Sequence, residues 1–276
     1  MLDPLATCPP GRWTHGDVEV MRTLVPHGDT LTSLRSRRGL TVTHRLRPSE
    51  LSDRLATRVV DEVDLRTRED FEAVIVGLVR STVADPMAAW TLYYRNSLRD
   101  LLVGVAPFAS VHEYGADLVV GESVLDLGSC FGFFALRLAL AGHRVTASDI
   151  CDGTMTLLAT VAGELDVPLH TLACDAGDVP LPDDSVDTVT AVHLLEHVAP
   201  GLGARIVAEA VRIARRRVVI AVPFEDEPTT CHGHVRTFDA DDLRHLGAAT
   251  GHRFTVTEHH GGWLVIDVSN DAERAR

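Results

Sequence analysis

The second half of the chain alternates short apolar runs with helical patterns. From residue 123, the apolar runs predict strands at SVLDLG, RVTASD, LHTLACD, SVDTVTAVHLL and RRVVIAVPF. The helical patterns between them begin near Gly132, Gly153 and Gly201. This alternation is typical of a parallel sheet covered by helices on both faces. RFTVTEHH and WLVIDVS then flank a GG turn and predict a C-terminal antiparallel hairpin, so we expect an α/β fold with a seven-stranded, mostly parallel sheet.

The first 120 residues follow a different pattern. Segments 17–24 and 39–46 look like short strands, separated by the turn-rich PHGD and the arginine-rich SLRSRRG. Helical patterns follow at residues 48–63, 67–84 and 85–106. We therefore predict an N-terminal α+β extension over residues 1–118, a second domain over 119–270 and a frayed tail at 271–276.

Composition narrows the class of protein. The chain has 276 residues, of which 45% are hydrophobic, but no apolar stretch approaches the about 20 residues of a membrane span. MLDPLATCPP has neither the basic start nor the apolar centre of a signal peptide. The five cysteines are an odd number without a close pair, which favours reduced thiols and a cytoplasmic location.

Charge excludes several functions. The net charge of −13 opposes general affinity for nucleic acid or for anionic membrane surfaces. All 26 basic residues are arginines, so chemistry that needs a lysine amine, such as a Walker-type phosphate loop or a pyridoxal Schiff base, is excluded. We expect a small-molecule or glycan acceptor as partner and leave the oligomeric state open.

The first chemical motif is VLDLGSCFG, residues 124–132, where a strand leads through a glycine turn into a helix. Gly128 allows a sharp turn off the strand, and Gly132 allows the helix to pack closely. We expect exposed backbone N–H groups at the helix start to favour a ligand carboxylate or phosphate. Asp149 ends the next strand, where a carboxylate is placed to accept hydrogen bonds from ribose hydroxyls.

The turn D-L-G-S-C-F-G resembles the D/E-x-G-x-G-x-G motif of the class I S-adenosylmethionine-dependent methyltransferases, with Cys130 at the central glycine. LACDAGDVPLPDDSVDTVTAVHLLEHV extends the resemblance, which covers residues 120–268 and implies a Rossmann-like fold with S-adenosyl-L-methionine as cofactor. Asp175 would face the adenine amino group. An ordinary glycine turn is the alternative, and we expect Cys130 to be a buried filler. The implied cofactor-binding residues are Asp126, Gly128, Ser129, Cys130, Gly132, Asp149, Ile150, Asp175, Ala176 and His193.

HLLEHV, residues 193–198, contains H-x-x-E-H at the end of a predicted strand. It is similar to the E-x-x-E-H motif with which several O-methyltransferases bind a divalent cation, and in CHGHVRTFDADDL the residue His234 takes the place of a more distant ligand. The resemblance implies metal ligands at His193, Glu196, His197 and His234, and catalytic roles for the three histidines. Imidazole together with carboxylate suits Mn²⁺, Zn²⁺, Fe²⁺, Co²⁺ or, with fewer nitrogens, Mg²⁺.

Metal-free interpretations of the same residues stay open. His193 is then a core histidine, Glu196 and His197 serve packing or helix capping, and Asp239 caps the next helix. His232 or His234 is an alternative general base without a metal, because imidazole titrates near neutral pH.

The acceptor is suggested by the N-terminal extension, which we expect to shape its site. AWTLYYRNSL places Trp90, Tyr93, Tyr94 and Arg95 together, as a substrate pocket or, the reading we favour, as helix packing. LVRSTVADPMAAWTLYYRNSL, HLLEHV and GHVRTF are similar to the actinobacterial mycofactocin-associated methyltransferases, which implies methylation of a glucose 2-hydroxyl on the mycofactocin oligosaccharide. The alternatives are a phenol, catechol or quinone-precursor O-methyltransferase, a non-catalytic S-adenosylmethionine-binding module and, more weakly, a nicotinamide dehydrogenase.

Overall fold

A computed structural model describes residues 3–23 and 30–268 and divides the chain into two units. The first unit runs to Pro107 and also contains Thr230–Gly233, whereas the second comprises Phe108–Thr229 and the chain from His234 onward. The predicted boundary at residue 118, and the predicted role of the extension at the acceptor site, stay predictions. The PHGD turn and the tail at 271–276 lie outside the described residues.

The first unit contains a four-stranded sheet of order β1-β2-β4-β3. Its strands are β1 (Arg12–His15), β2 (Val18–Arg22), β3 (Leu31–Ser36) and β4 (Gly39–His44). The segments predicted as strands contain β2 and β4, whereas β1 and β3 were not predicted. In β3 only Leu31 is fully buried, so its sequence, LTSLRS, has the polar character of a loop and is recruited into the sheet by pairing with β4.

Three helices complete the described part of this unit. They are α1 (Arg54–Glu62), α2 (Arg68–Thr82) and α3 (Pro86–Leu102), preceded by a 3-10 turn at Pro48–Glu50. The Thr67 and Asp85 side chains accept hydrogen bonds from the first turns of α2 and α3, which explains where both helices begin. Trp90, Tyr93 and Tyr94 are buried within the unit, so the packing interpretation of this cluster is confirmed.

The second unit contains the predicted seven-stranded sheet, in the order β10-β11-β9-β8-β5-β6-β7. Its strands are β5 (Ser123–Leu127), β6 (Arg144–Asp149), β7 (Leu169–Ala173), β8 (Val186–Val192), β9 (Ala214–Val222), β10 (Arg253–Glu258) and β11 (Gly262–Asp267). Strands β5 to β9 are parallel, and β10 and β11 form the antiparallel hairpin that the sequence predicted. The Rossmann-like fold is therefore confirmed.

The helices are α4 (Ala109–Leu118), α5 (Phe133–Leu140), α6 (Asp152–Glu164), α7 (Pro200–Ile213) and α8 (Ala240–Ala249), with a 3-10 turn at Leu195–His197. Helices α5, α6 and α7 follow the parallel strands β5, β6 and β8, as the alternating pattern predicted, whereas α4 precedes β5 and α8 precedes β10. The predicted N-cap Asp239 accepts hydrogen bonds from the N–H groups of Asp241 and Asp242 and so starts α8. The core lies between the sheet and these helices, where aliphatic side chains from β5, β8, β9 and α7 pack together.

The order of the strands reverses direction between β5 and β8, and this determines where a ligand can bind. In open α/β sheets, ligands bind beside the carboxyl ends of the strands at such a reversal. The glycine turn follows β5 and HLLEHV follows β8, so the fold brings the two motifs of the sequence to one edge of the sheet.

Within the part of the chain that is described, no single helix has both the length and the apolar character needed to cross a bilayer. Helices α2 and α3 pass that test only when taken together, and they meet at an angle of 109°.

Candidate active site

The turn after β5 needs its two glycines for backbone and packing reasons. Gly128 and Gly132 have φ of +68° and +72°, a left-handed conformation that residues with a Cβ rarely adopt. A Cβ on Gly128 would lie 2.6 Å from Leu194 Cδ1, and one on Gly132 would lie 2.3 Å from Leu158 Cδ2. The close approach of Leu194 also joins the turn to the HLLEHV segment.

Cys130 occupies the position of the motif's central glycine and also has a left-handed backbone, with φ of +50°. Its side chain is exposed, so the expectation that it fills a buried space was wrong. The apolar residues around the glycines suggest that Cys130 is buried. The conformation of the tight turn instead directs its side chain outward.

Backbone N–H groups in the turn are bound by the protein itself. Ser129 N donates to Ser148 O at 2.8 Å, Cys130 N donates to Asp149 Oδ2 at 3.0 Å, and Gly132 N donates to Ser129 O at 2.7 Å. These three residues precede α5, so the expectation that N–H groups at the helix start are available to a ligand stays a prediction. The hydrogen bonds fix the shape of the turn.

Asp126 lies in β5 beneath the turn and is almost completely buried. Thr190 Oγ1 donates to its Oδ1 at 2.7 Å, and Ser129 Oγ donates to its Oδ2 at 2.7 Å. Burial raises the pKa of Asp126 to about 6, although the hydrogen bonds from Thr190 and Ser129 act to lower it. This carboxylate is thus buried but has a donor for each oxygen.

Asp149 ends β6 beside the same turn. Besides Cys130 N, its carboxylate accepts a hydrogen bond from Cys151 N at 2.9 Å. A carboxylate has about four lone-pair positions, so capacity remains for ribose hydroxyls. Ile150 follows with 79% of its surface exposed and offers an apolar face at the sheet edge.

The predicted adenine contacts lie after β7. Asp175 is exposed, and its Oδ1 accepts a hydrogen bond from Gly177 N at 2.8 Å, while Ala176 is half-buried. The structure places these residues at the carboxyl edge of the strand next to β6. Their roles toward a cofactor stay predictions.

His193 stands directly after β8 in a left-handed conformation with φ of +55°. Its backbone N–H donates to Ala221 O at 2.9 Å, which continues the pairing with β9 beyond the strand. The ring Nδ1 lies 3.1 Å from Glu196 Oε1, and the Phe108 ring meets the imidazole edge-to-face at 5.4 Å between centroids. His193 therefore lies between an exposed aromatic ring and a carboxylate.

Glu196 is the most unusual group at this edge, because its side chain is 0% exposed. Among residues 3–23 and 30–268, neither of its carboxylate oxygens has a hydrogen-bond partner, although His193 Nδ1 lies 3.1 Å from Oε1. Buried polar groups are almost always satisfied, and an unpaired buried carboxylate costs free energy. A partner outside the chain would remove this deficit.

Two histidines adjoin Glu196. Glu196, His197 and His234 each place one ligand atom within 4.8 Å of the others, which is close enough for a shared metal ion. The His197 and His234 rings meet edge-to-face with centroids 4.9 Å apart. His193 is outside this group of three, so the structure brings together three of the four predicted ligands, and the ligand role of His193 stays a prediction.

Sequence reasoning missed the partners of His234. Its Nδ1 lies 2.7 Å from Glu225 Oε2, and Thr229 Oγ1 donates to Glu225 Oε1 at 2.7 Å. Burial acts to raise the pKa of Glu225, but the hydrogen bonds from His234 and Thr229 outweigh it and hold the pKa below its ordinary value. The available signal was the position of Glu225 just after β9, at the same sheet edge.

The comparisons with known proteins agree with this geometry. A family model described as "Methyltransferase domain" matches residues 125–222, from the strand that carries Asp126 to the end of β9. Residues 125–222 are therefore similar to a methyltransferase domain. The match covers about a third of the chain and includes both the glycine turn and HLLEHV. No curated protein matches the chain.

Several solved structures are similar to part of this chain. A chain in the complex of the Haloferax volcanii Trm112 methyltransferase activator with a methyltransferase is 17% identical, with a TM-score of 0.51 over 66% of this chain and 98% of that chain. The [4+2]-cyclase SpnF is 22% identical, with a TM-score of 0.47 over 54% of this chain and only 57% of SpnF. The SAH-bound magnesium protoporphyrin IX methyltransferase ChlM from Synechocystis PCC 6803 is 18% identical, with a TM-score of 0.46 over 66% of this chain and 87% of ChlM.

The family match supports the methyltransferase part of the sequence prediction, and none of the comparisons supports the narrower mycofactocin resemblance. The identity of the acceptor atom and of a metal depends on the geometry of the site.

Proposed function

We propose that the protein transfers a methyl group from S-adenosyl-L-methionine to a hydroxyl group of a small molecule or glycan, with a divalent cation bound beside the acceptor. The observation that carries this proposal is the buried Glu196 carboxylate, which has no hydrogen-bond partner among the described residues and lies next to His197 and His234. The methyltransferase domain supplies the reaction class, and the three side chains supply the acceptor chemistry.

The cofactor proposal is supported by the edge formed by β5, β6 and β7. S-adenosylmethionine supplies, when bound, a methyl group activated by a positively charged sulfur. Asp149 has acceptor capacity for the ribose hydroxyls, Ile150 offers an apolar face for the adenine, and Asp126 places negative charge below the turn. These groups suit a ligand with a polar ribose, an aromatic base and positive charge.

The side chains of Glu196, His197 and His234 together also fit a metal ion. One carboxylate and two imidazoles suit Mn²⁺, Fe²⁺, Co²⁺ or Zn²⁺ better than Mg²⁺, which prefers oxygen ligands. Glu196 would provide the anionic ligand, with His197 and His234 as the neutral ones. A divalent cation supplies, when bound, positive charge that favours loss of a proton from a neighbouring hydroxyl.

The protein's own groups then have defined tasks. In the transfer, the acceptor oxygen forms a bond to the methyl carbon as the bond from that carbon to sulfur breaks, and S-adenosylhomocysteine is released. The hydroxyl proton must leave, and the imidazoles of His193, His197 and His234 are the candidate bases at this edge. Holding both reactants at the carboxyl ends of β5 and β8 favours reaction through proximity.

A metal-free histidine base is the second candidate mechanism, and one observation favours it. Both His193 and His234 lie against a glutamate carboxylate, at 3.1 Å and 2.7 Å. A carboxylate beside an imidazole orients the ring and stabilises its protonated form. In this mechanism Glu196 serves His193 and binds no ion.

A vicinal diol is the acceptor class that best suits a cation site, because two adjacent hydroxyls can bind one ion together. The glucose 2-hydroxyl of the mycofactocin oligosaccharide and the catechol ring both have this feature. The sequence segments LVRSTVADPMAAWTLYYRNSL, HLLEHV and GHVRTF favour the glycan, and this resemblance is the support for that choice.

The test combines elemental analysis with methyl transfer. Protein purified without added metal is analysed for bound ions, and labelled S-adenosylmethionine is then incubated with glucose oligosaccharides and with catechol, with and without chelator. We expect a stoichiometric ion, transfer to one diol acceptor, and loss of transfer on chelation that Mn²⁺ or Zn²⁺ restores. Chelator-insensitive transfer without an ion would select the histidine base, and binding of S-adenosylmethionine without transfer to any hydroxyl would favour a non-catalytic module.

A further inference from the structure

The contact between Glu225 and His234 indicates which ring nitrogen of His234 carries a hydrogen. The distance between Glu225 Oε2 and His234 Nδ1 is 2.7 Å, and an ionised carboxylate can only accept a hydrogen bond. In the neutral form of the ring, the hydrogen therefore resides on Nδ1 and the lone pair on Nε2. The tautomer of His234 thus follows from the identity of its neighbour.

Glu225 is itself held in place from its other side. Thr229 Oγ1 donates to Oε1 at 2.7 Å, so each carboxylate oxygen has one partner. Glu225 follows β9, a central strand of the sheet, by only a few residues. A carboxylate with both oxygens engaged and a short tether to the sheet has little freedom to rotate.

The backbone brings His234 to Glu196. His234 N donates to Thr229 O at 3.3 Å, and the next residue, Val235, donates its N–H to Glu196 O at 2.9 Å. The side chain of His234 is therefore held by Glu225, and the main chain at His234 and Val235 is held by hydrogen bonds to Thr229 and Glu196. The result is the pair of imidazoles, His197 and His234, beside the buried carboxylate.

We propose that Glu225 is a positioning residue that holds His234 with Nε2 as its metal-binding and proton-accepting nitrogen. The inference rests on the proposed function, because it concerns the same site, but the tautomer exists whether or not a metal binds. In metal sites, a carboxylate on the second nitrogen of a histidine ligand orients the ring, and its loss weakens metal binding about 10- to 100-fold. Thr229 supports Glu225 in the same way, one step further from the site.

The first measurement is nuclear magnetic resonance of ¹⁵N-histidine in the metal-free full chain. We expect His234 of the wild-type protein to be protonated at Nδ1, and Glu225→Ala to shift it toward the tautomer protonated at Nε2. Glu225→Gln retains an acceptor oxygen, so it should keep more of the wild-type tautomer. Protonation of wild-type His234 at Nε2, or a tautomer unchanged in Glu225→Ala, would overturn the inference.

The second measurement uses Co²⁺ alone as probe and follows both affinity and the visible absorption spectrum. Relative to wild type, we expect about 10-fold weaker binding in Glu225→Gln and up to about 100-fold weaker binding in Glu225→Ala, with the band positions retained because the ligands are unchanged. His234→Ala should alter the bands themselves. Thr229→Val should weaken binding in the same direction by a smaller factor.

Glu209→Gln is the matched control. Glu209 lies in the same unit, is 19% exposed against 21% for Glu225, and accepts hydrogen bonds from Arg212 away from the histidines. It should bind Co²⁺ within about twofold of wild type. Equal Co²⁺ affinity in wild type and both Glu225 variants would overturn the positioning role. A Glu225-dependent tautomer without Co²⁺ binding in any variant would support the positioning role and overturn the metal in the proposed function.

Discussion

Two buried carboxylates lie at the same edge of the sheet, and their surroundings are opposite. Asp126, below the glycine turn, has a hydroxyl donor for each oxygen, whereas Glu196, after β8, has no hydrogen-bond partner in the described part of the chain. The hydrogen bonds of Asp126 are satisfied within the protein, whereas those of Glu196 would need a bound ligand. The difference indicates that the proposed cofactor side of the site is preformed, while the proposed acceptor side has an electrostatic deficit that a ligand can fill.

Removing the charge at Glu196 should have the largest effect. We expect Glu196→Gln to reduce methyl transfer by about 100-fold or more. It should also raise the free energy of unfolding of the metal-free protein by about 1–3 kcal/mol, because a buried carboxylate without a hydrogen-bond partner among the described residues is removed. Activity assays and denaturant unfolding measure the two effects. Glu258→Gln, at an exposed position, is the control, and a destabilised Glu196→Gln would contradict the idea of a deficit.

The two sides of the site should also be separable by substitution. Asp149→Ala should weaken S-adenosylmethionine binding about 10- to 100-fold, because charge-assisted hydrogen bonds are lost. His197→Ala should abolish transfer and leave cofactor binding nearly normal. Calorimetric titration and methyl transfer are measured for both variants, with Asp152→Ala as the control for loss of a nearby exposed carboxylate. Full activity in the His197 variant would refute the proposed mechanism.

Asp126 should make cofactor binding depend on pH. Its pKa of about 6 means that the carboxylate is mostly protonated at pH 5. A positively charged cofactor prefers the ionised form, so affinity at pH 5 should be roughly tenfold lower than at pH 7.5. The sign for stability is the opposite, since the raised pKa makes this group's contribution fall as pH rises from about 4 through about 6. Asp126→Asn should remove the pH step in a titration series, and a step that persists in this variant would assign it elsewhere.

Substitutions at Cys130 should have the smallest effect. Its left-handed backbone costs roughly 1–2 kcal/mol, and glycine would remove that strain but adds about 0.5–1 kcal/mol of chain entropy. We expect Cys130→Gly to stabilise the protein by less than about 1 kcal/mol in denaturant unfolding. Cys130→Ala removes the thiol but keeps the strain, so it should give no such gain.

Much of the second unit was predictable because its elements are locally encoded. Apolar runs of strand length between amphipathic helices suffice to predict a parallel sheet, and Asp239 was recognisable as a helix cap. β3 was not predictable, because a polar edge strand has the composition of a loop until a partner strand is present. The exposure of Cys130 was missed for a similar reason, since the direction of a side chain in a tight turn depends on backbone angles.

The sequence by itself determined the type of sheet, the glycine turn and the residue types of HLLEHV, because each depends on neighbours along the chain. Only the tertiary structure decided that Glu196 is buried without a hydrogen-bond partner among the described residues, that His234 lies beside it and His197, and that Glu225 Oε2 lies 2.7 Å from His234 Nδ1. These relations join the end of β8 to the loop after β9. Parallel strands bring such distant segments to one edge of the sheet. Burial at that edge sets the free-energy cost of each charge, and burial cannot be read from a local pattern of residues.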